Sequence, residues 1–286
     1  MAEGPAVRAR LVEGRGAMIR RKSLRRGIVF LVVLGLAALA VGVPASAGGL
    51  EDARSRGKLL VGVKTDFPPF GYLDPSGKPA GFDVDVARYL AKALFEDEGR
   101  LEAVPVTSGS RIPFLYSEWI DMIVATMTVT EERRQVLEFS DPYFVSASLL
   151  LVPAGSHVRG IEDLAGKTVA VIEGSIQEKD LALVAPAAKR VAFKNMSEAV
   201  QALKMKKADA LCQDDMLVLA LAKENRDLKA AGKPILPRPY AIAVRKGDIA
   251  TLRWVNEKLS AMRKDGTYDR LKEKYFGATA GKEGKP

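Results

Sequence analysis

The sequence predicts an α/β protein whose mostly parallel sheets are flanked by helices. Two observations carry this. Short apolar runs of strand length alternate with stretches in which apolar residues recur at helical spacing, and strands ordered that way lie in parallel sheets covered on both faces. The alternation also occurs twice, once before residue 153 and again after it.

A leader precedes the first strand. Arg20, Arg21, Lys22, Arg25 and Arg26 form a basic cluster, residues 28–43 are apolar or small, and Ala45-Ser46-Ala47 supplies a small-x-small site. That order predicts a cleaved secretory signal over residues 1–47. The run falls short of the ~20 apolar residues a transmembrane helix needs. No cysteine stands at the cleavage site, so the expected product is a soluble periplasmic protein without a lipid anchor. Met18, just ahead of the cluster, is an alternative start.

The leader also accounts for most of the excess charge. The chain has 44 Lys+Arg against 35 Asp+Glu, but residues 1–47 hold 8 and 2 of these, leaving about +3 on residues 48–286. Nucleic-acid binding is not indicated, because it requires a basic face on the folded domain. Cys212 is the single cysteine, so the exported chain has no internal disulfide and relies on packing.

Residues 59–63 form the first strand. Asp74-Pro75-Ser76-Gly77 is turn-rich, and Phe82, Val86, Leu90 and Leu94 then fall at helical spacing, with Asp83 and Asp85 placed to cap and complement the helix start. Residues 101–106 read as a strand, 112–115 open a helix, and 121–126 read as a third strand. The second pattern has a strand at 168–172, a helix opening at Gly174-Ser175, a helix around Val200, Leu203 and Met205 with Ser197 as its N-cap, a strand at 208–212, and a helix starting at Asp214. The C-terminal part has a strand at 240–244 and a helix capped by Asp248 that carries Leu252, Val255, Leu259 and Met262. It is broken at Asp265-Gly266-Thr267 and followed by a last helix ending at Phe276-Gly277. The Gly- and Lys-rich residues 278–286 are expected to be disordered.

Several of these segments together carry a family resemblance. They are Gly57-Lys58-Leu59-Leu60-Val61-Gly62-Val63, Pro68-Pro69-Phe70, Gly81-Phe82-Asp83-Val84-Asp85, Thr128-Val129-Thr130-Glu131-Glu132-Arg133, Phe139-Ser140-Asp141-Pro142-Tyr143, Asp265-Gly266-Thr267-Tyr268 and Lys274-Tyr275-Phe276-Gly277. In this order and spacing, the chain resembles the family 3 extracellular solute-binding proteins, which serve ABC importers of polar amino acids. The resemblance implies a two-lobed Venus-flytrap fold with a two-strand hinge near Leu151 and Ala241. Lobe 1 would comprise residues 48–152 and 238–277, and lobe 2 residues 153–237. It also implies a monomer that works with an ABC permease and a separate ATPase, since the chain has no nucleotide-binding loop of its own.

The implied ligand site follows residue by residue. An amino acid presents a carboxylate and an ammonium on one carbon. Arg133, in the family's Thr-x-x-Arg pattern, is the expected carboxylate partner, as a guanidinium fork meets a carboxylate with two hydrogen bonds. Thr128 and the helix start at Ser175 and Ile176 would add N–H donors. Asp214, at a strand end where open sheets bind ligands, is the expected ammonium acceptor, with Thr126 assisting. Phe67 would form an apolar wall. Lys64 and Arg111 stand where the glutamate/aspartate-binding subgroup contacts the ligand side chain, and Ser108 stands where binders of long or basic ligands often carry an aromatic ring. Counting Lys64, Arg111 and Arg133 against Asp214 gives a net +2 pocket, which favours an acidic amino acid; glutamine, asparagine or another polar amino acid is the alternative.

A second class is an enzyme on the same fold, a periplasmic cyclohexadienyl dehydratase, with Glu173 as the candidate cleft acid. The site is otherwise expected to hold no cofactor or metal, as the lone His157 and Cys212 make no metal spacing. His157 is read as an exposed loop residue and Cys212 as core. Trp119 and Trp254 are read as packing residues, and Met196, Met205 and Met216 as core filler.

Overall fold

The computed structural model describes residues 49–277; the leader expected over 1–47 and the tail expected over 278–286 lie outside the described residues. Helix α1 (Gly49–Arg56) leads into a five-stranded sheet of β1 (Leu59–Val63), β5 (Leu101–Pro105), β6 (Met122–Ile123), β7 (Leu137–Phe139) and β13 (Ala243–Arg245), in the order β5-β1-β6-β13-β7. Strand β1 runs parallel to both β5 and β6, while β13 is antiparallel to β6 and β7. A second five-stranded sheet has β8 (Phe144–Pro153), β9 (Thr168–Ile172), β10 (Lys189–Phe193), β11 (Ala210–Asp214) and β12 (Leu228–Tyr240), in the order β10-β9-β11-β8-β12. There β9 is parallel to β10 and β11, and β8 is antiparallel to β11 and β12. Both sheets therefore share one plan: one strand between two parallel neighbours, then antiparallel pairing on one side.

The central strands form where the sequence is apolar on both faces. Leu59, Val61 and Val63 of β1 and Val169, Ala170 and Val171 of β9 are fully enclosed. Helix α2 (Phe82–Phe95) covers the first sheet with Phe82, Val86 and Leu90. A short antiparallel sheet of β2 (Asp66–Phe67), β3 (Gly71–Leu73) and β4 (Pro79–Ala80) follows β1 directly. Its tightness requires Gly71, where a Cβ would lie 2.2 Å from the Lys64 carbonyl oxygen.

The chain passes from the first sheet to the second between residues 139 and 144 and returns between 240 and 243. The outward crossing thus comes before Leu151, because residues 144–153 already pair with β11 and β12. Residues 240–244 are likewise divided: Tyr240 ends β12, and β13 begins at Ala243. Aromatic rings pack where the chain crosses. Phe144 and Tyr240 stack with centroids 6.0 Å apart, and Phe70, Phe82 and Phe276 close around them.

Three smaller expectations are corrected. The helix Met196–Lys204 is capped by Asn195, whose side chain accepts from the Glu198 amide, and not by Ser197. Trp119 is 62% exposed and lies against Phe114 instead of filling a core. Met205 is also exposed, whereas Met196 is buried, Met216 packs on the core edge and Trp254 packs beside it. His157 is exposed and Cys212 is buried.

Candidate ligand-binding cleft

The carboxyl ends of the strands on both sheets converge on one cleft. In open α/β sheets ligands bind at such ends, where neighbouring connections diverge. Lys64 follows β1, and Thr126 and Thr128 follow β6. Ser175 and Ile176 follow β9 and open helix α3 (Ile176–Val184), and Asp214 ends β11. Between the lobes is a cavity of about 10 Å³, lined by Phe67, Ser108, Arg111, Thr126, Thr128, Ser175, Ile176, Gln177, Gln213 and Asp214. Seven of the nine residues singled out from sequence line it. Lys64 sits just behind, donating to Ser108 Oγ at 2.8 Å, and Arg133 lies at the rim. A larger open groove of about 680 Å³ lies elsewhere on the first lobe, where Arg88 pairs with Asp85 and the Tyr89 hydroxyl donates to Asp265.

The loop 125–128 is held from both sides. Arg111 donates to the carbonyls of Ala125 (2.6 Å) and Thr126 (3.3 Å), and Arg133 to that of Thr128 (2.8 Å). The Thr126 amide donates to Asp83 Oδ2 at 2.8 Å. These bonds keep Thr126 at φ 46°, a backbone region that costs a β-branched residue roughly 1–3 kcal/mol. Both arginines thus spend part of their guanidinium on this loop. The Nε of Arg111 is buried without a partner, and Arg133 reaches across to the Gly174 carbonyl at 3.1 Å.

Asp83 departs from its expected role. It does not cap helix α2 but is completely buried, accepting from the Thr126 amide and from the Tyr143 hydroxyl at 2.9 Å. Burial raises its pKa to about 7 despite these bonds. On the opposite wall, Asp214 accepts from Gln177 Nε2 at 2.7 Å, and Gln213 Oε1 accepts from its amide. Burial raises the pKa of Asp214 to about 6, opposed by the nearby Tyr240 hydroxyl and by Gln177; the Tyr240 hydroxyl makes no hydrogen bond of good geometry.

Lys64 and Arg111 are both enclosed. Burial, then the Arg111 charge, lowers Lys64 to about 8, while Asp66, Asp214 and Asp83 act in the opposite direction. Burial, then Arg133, lowers Arg111 to about 9. The ammonium of Lys64 also lies 4.8 Å from the Phe67 ring centroid. The +2 count therefore omitted Asp66 and Asp83, whose fields reach Lys64, Asp83 being only part ionised near neutral pH.

Two further expectations change. The Ser175 amide is already bonded to the Ile172 carbonyl, and its buried hydroxyl lacks a partner, so the donors at this helix start begin at Ile176. Glu173, weighed as a cleft acid, is exposed and does not line the cavity. Sequence reading missed Asp83, Gln177 and Gln213 as cleft residues. Helical periodicity offered a signal for two of them. Asp83 shares the buried stripe of Ala87, Leu90 and Ala91, and Gln177 that of Asp180 and Leu181.

Two lobes, each contributing strand ends and polar groups to one enclosed cleft, define a solute-binding protein. The chain belongs to the bacterial extracellular solute-binding proteins, family 3, whose sequence model matches residues 59–278. It is 41% identical over 229 residues to the ABC transporter glutamine-binding protein GlnH of Bacillus subtilis, covering 79% of this chain and 84% of that one. It is 32% identical to the L-cystine-binding protein TcyJ of Escherichia coli, covering 87% and 93%. Among solved structures, a mutant of ArgBP from T. maritima superposes with a TM-score of 0.75 at 39% identity, covering 80% of this chain and 99% of that one.

Proposed function

We propose that this protein is the exported, periplasmic binding component of an ATP-driven importer, and that it captures a polar L-α-amino acid between its lobes for a permease and separate ATPase. In this reading Arg133, Thr128 and the helix start at Ile176 receive the carboxylate, and Asp214 the ammonium. Phe67 packs on the aliphatic part, and Lys64, Ser108 and Arg111 face the side-chain end. The family and the two-walled cleft support this.

Of the side-chain classes raised by sequence, glutamine or asparagine fits the cleft best. One observation carries this: three carboxylates, Asp66, Asp83 and Asp214, act on Lys64, beside the three cations Lys64, Arg111 and Arg133. Asp66 and Asp214 offset two of these cations and Asp83, with its pKa near 7, part of the third, so the net charge lies well below +2 and suits a zwitterion of no net charge. An acidic side chain would bring a full negative charge against only a fraction of a positive one. Glutamate or aspartate is the second reading, favoured because the repulsion of Lys64 by Arg111 and of Arg111 by Arg133, which adds to burial in lowering both, would be relieved by a second carboxylate.

A thermal-shift and calorimetric screen of the twenty amino acids tests both readings. A ligand at 100 times its Kd stabilises by about 2.7 kcal/mol, a rise of roughly 5–10 °C for a chain of this size. The largest rise is expected with glutamine. A rise with glutamate or aspartate alone would establish the second reading. No rise with any amino acid would reject amino-acid binding.

A further inference from the structure

Arg133 reaches the Gly174 carbonyl across the cleft, and a second contact between the lobes comes from a side chain outside the proposed ligand set. Asp66 belongs to the short sheet of the first lobe, yet its Oδ2 accepts from the backbone amide of Met196 at 3.0 Å. Met196 is the first residue of the helix Met196–Lys204 in the second lobe, and it is buried. Asn195 and Glu198 satisfy each other at this helix start, the Asn195 side chain accepting from the Glu198 amide at 2.9 Å. The Met196 amide takes its partner from across the cleft. Near the opposite rim Glu132 meets Lys179, but these side chains are 67% and 60% exposed. Such solvated pairs contribute little. A partly buried carboxylate on a helix N-terminus combines a charge-assisted hydrogen bond with the favourable end of the helix dipole.

We infer that Asp66 is the latch that holds the closed form: it bonds the second lobe's helix only when the lobes meet, and so sets how long a captured solute stays without touching it. This rests on reading the cleft as the ligand site. Its charge also acts on Lys64, and the two routes differ in what they predict. A latch acts on every ligand alike and on release, because capture precedes closure. An effect through Lys64 depends on the charge of the ligand side chain.

The test uses Asp66→Ala, Asp66→Asn and Glu132→Gln in the full-length chain, with glutamine and glutamate as probes in stopped-flow and calorimetry, and small-angle scattering on the same samples. Asp66→Ala is expected to speed release about tenfold, with association and the glutamine-to-glutamate affinity ratio unchanged. Asp66→Asn, which keeps an acceptor oxygen but loses the charge, should fall between Asp66→Ala and the parent chain, and Glu132→Gln should stay within about twofold of it. Unchanged release, or a changed affinity ratio with unchanged release, would overturn the latch. If the parent chain binds neither probe, the amino-acid reading fails, and scattering still decides. A more extended Asp66→Ala supports the latch, and superimposable curves refute it.

Discussion

Asp83 is placed to serve the proposed binding site from behind the cleft wall. It ties the Thr126 amide and the Tyr143 hydroxyl together at the floor of the cleft, and burial raises its pKa to about 7. Between the unfolded value of 3.8 and about 7 the folded chain holds a proton that the unfolded chain has released. The contribution of Asp83 to stability is therefore greatest at low pH and falls as pH rises through this window. At about 1.4 kcal/mol for each tenfold change in acidity, the full window is worth about 4 kcal/mol. Thermal denaturation of Asp83→Asn should show the variant gaining on the parent chain between pH 4 and pH 8, since the amide keeps an acceptor but never ionises. Parallel stability curves would refute this. Asp214, raised to about 6, faces the ligand ammonium in the proposed site. Asp214→Asn should weaken amino-acid binding at least a hundredfold in calorimetry, in line with losing one partner of a buried charge pair, while leaving the fold intact. Asp214 was legible in the sequence because a strand end and a helix start meet there. Asp83 was misread as a cap because what buries it, the 125–128 loop and Tyr143, lies at least 42 residues further along the chain.

At the scale of elements, the turn after β9 governs how closely the lobes approach. Gly174 has φ +71°, and a Cβ there would lie 2.9 Å from the Cα of Gly109 in the first lobe. Gly174→Ala both strains the backbone and wedges the lobes apart, because the atoms it meets, Gly109 Cα and N and the Ser108 carbonyl oxygen, are all backbone. Affinity is expected to fall more than about tenfold, with a loss of roughly 1–3 kcal/mol in stability from the strained φ. Gly109→Ala is the matched control: its Cβ would meet the Glu173 carbonyl at 3.8 Å, an ordinary contact. Equal affinities for the two variants would contradict the seam. Strand and helix positions were largely legible, because the apolar runs of β1 and β9 and the stripe of α2 are local patterns. The long pair β8 and β12 was not, since polar and Pro-containing residues 228–240 show no strand periodicity and are drawn into extended form by pairing with β8.

Over the whole molecule, the aromatic cluster beneath the crossing joins the last helix to the hinge. Phe276 lies 4.9 Å from Phe144, 5.1 Å from Phe82 and 5.2 Å from Phe70, measured between ring centroids. Phe276→Ala should cost about 3 kcal/mol, the lower end for a buried phenylalanine because this one is partly exposed. That would appear as a fall of roughly 6–12 °C in Tm, and an unchanged Tm would show that the last helix is not structurally coupled to the hinge.

Local chemistry in the sequence was enough to establish the α/β class, most helix starts, the family and seven of the residues lining the cleft, because each rests on neighbours a few positions apart or on a motif of fixed order. Tertiary structure alone decided that Arg111 and Arg133 are partly spent on loop carbonyls, that Asp66 and Asp83 offset the cleft cations, and that Asp66 crosses to the second lobe. Charge balance and burial sum over groups from distant parts of the chain, and their separation in sequence carries no record of their distance in space.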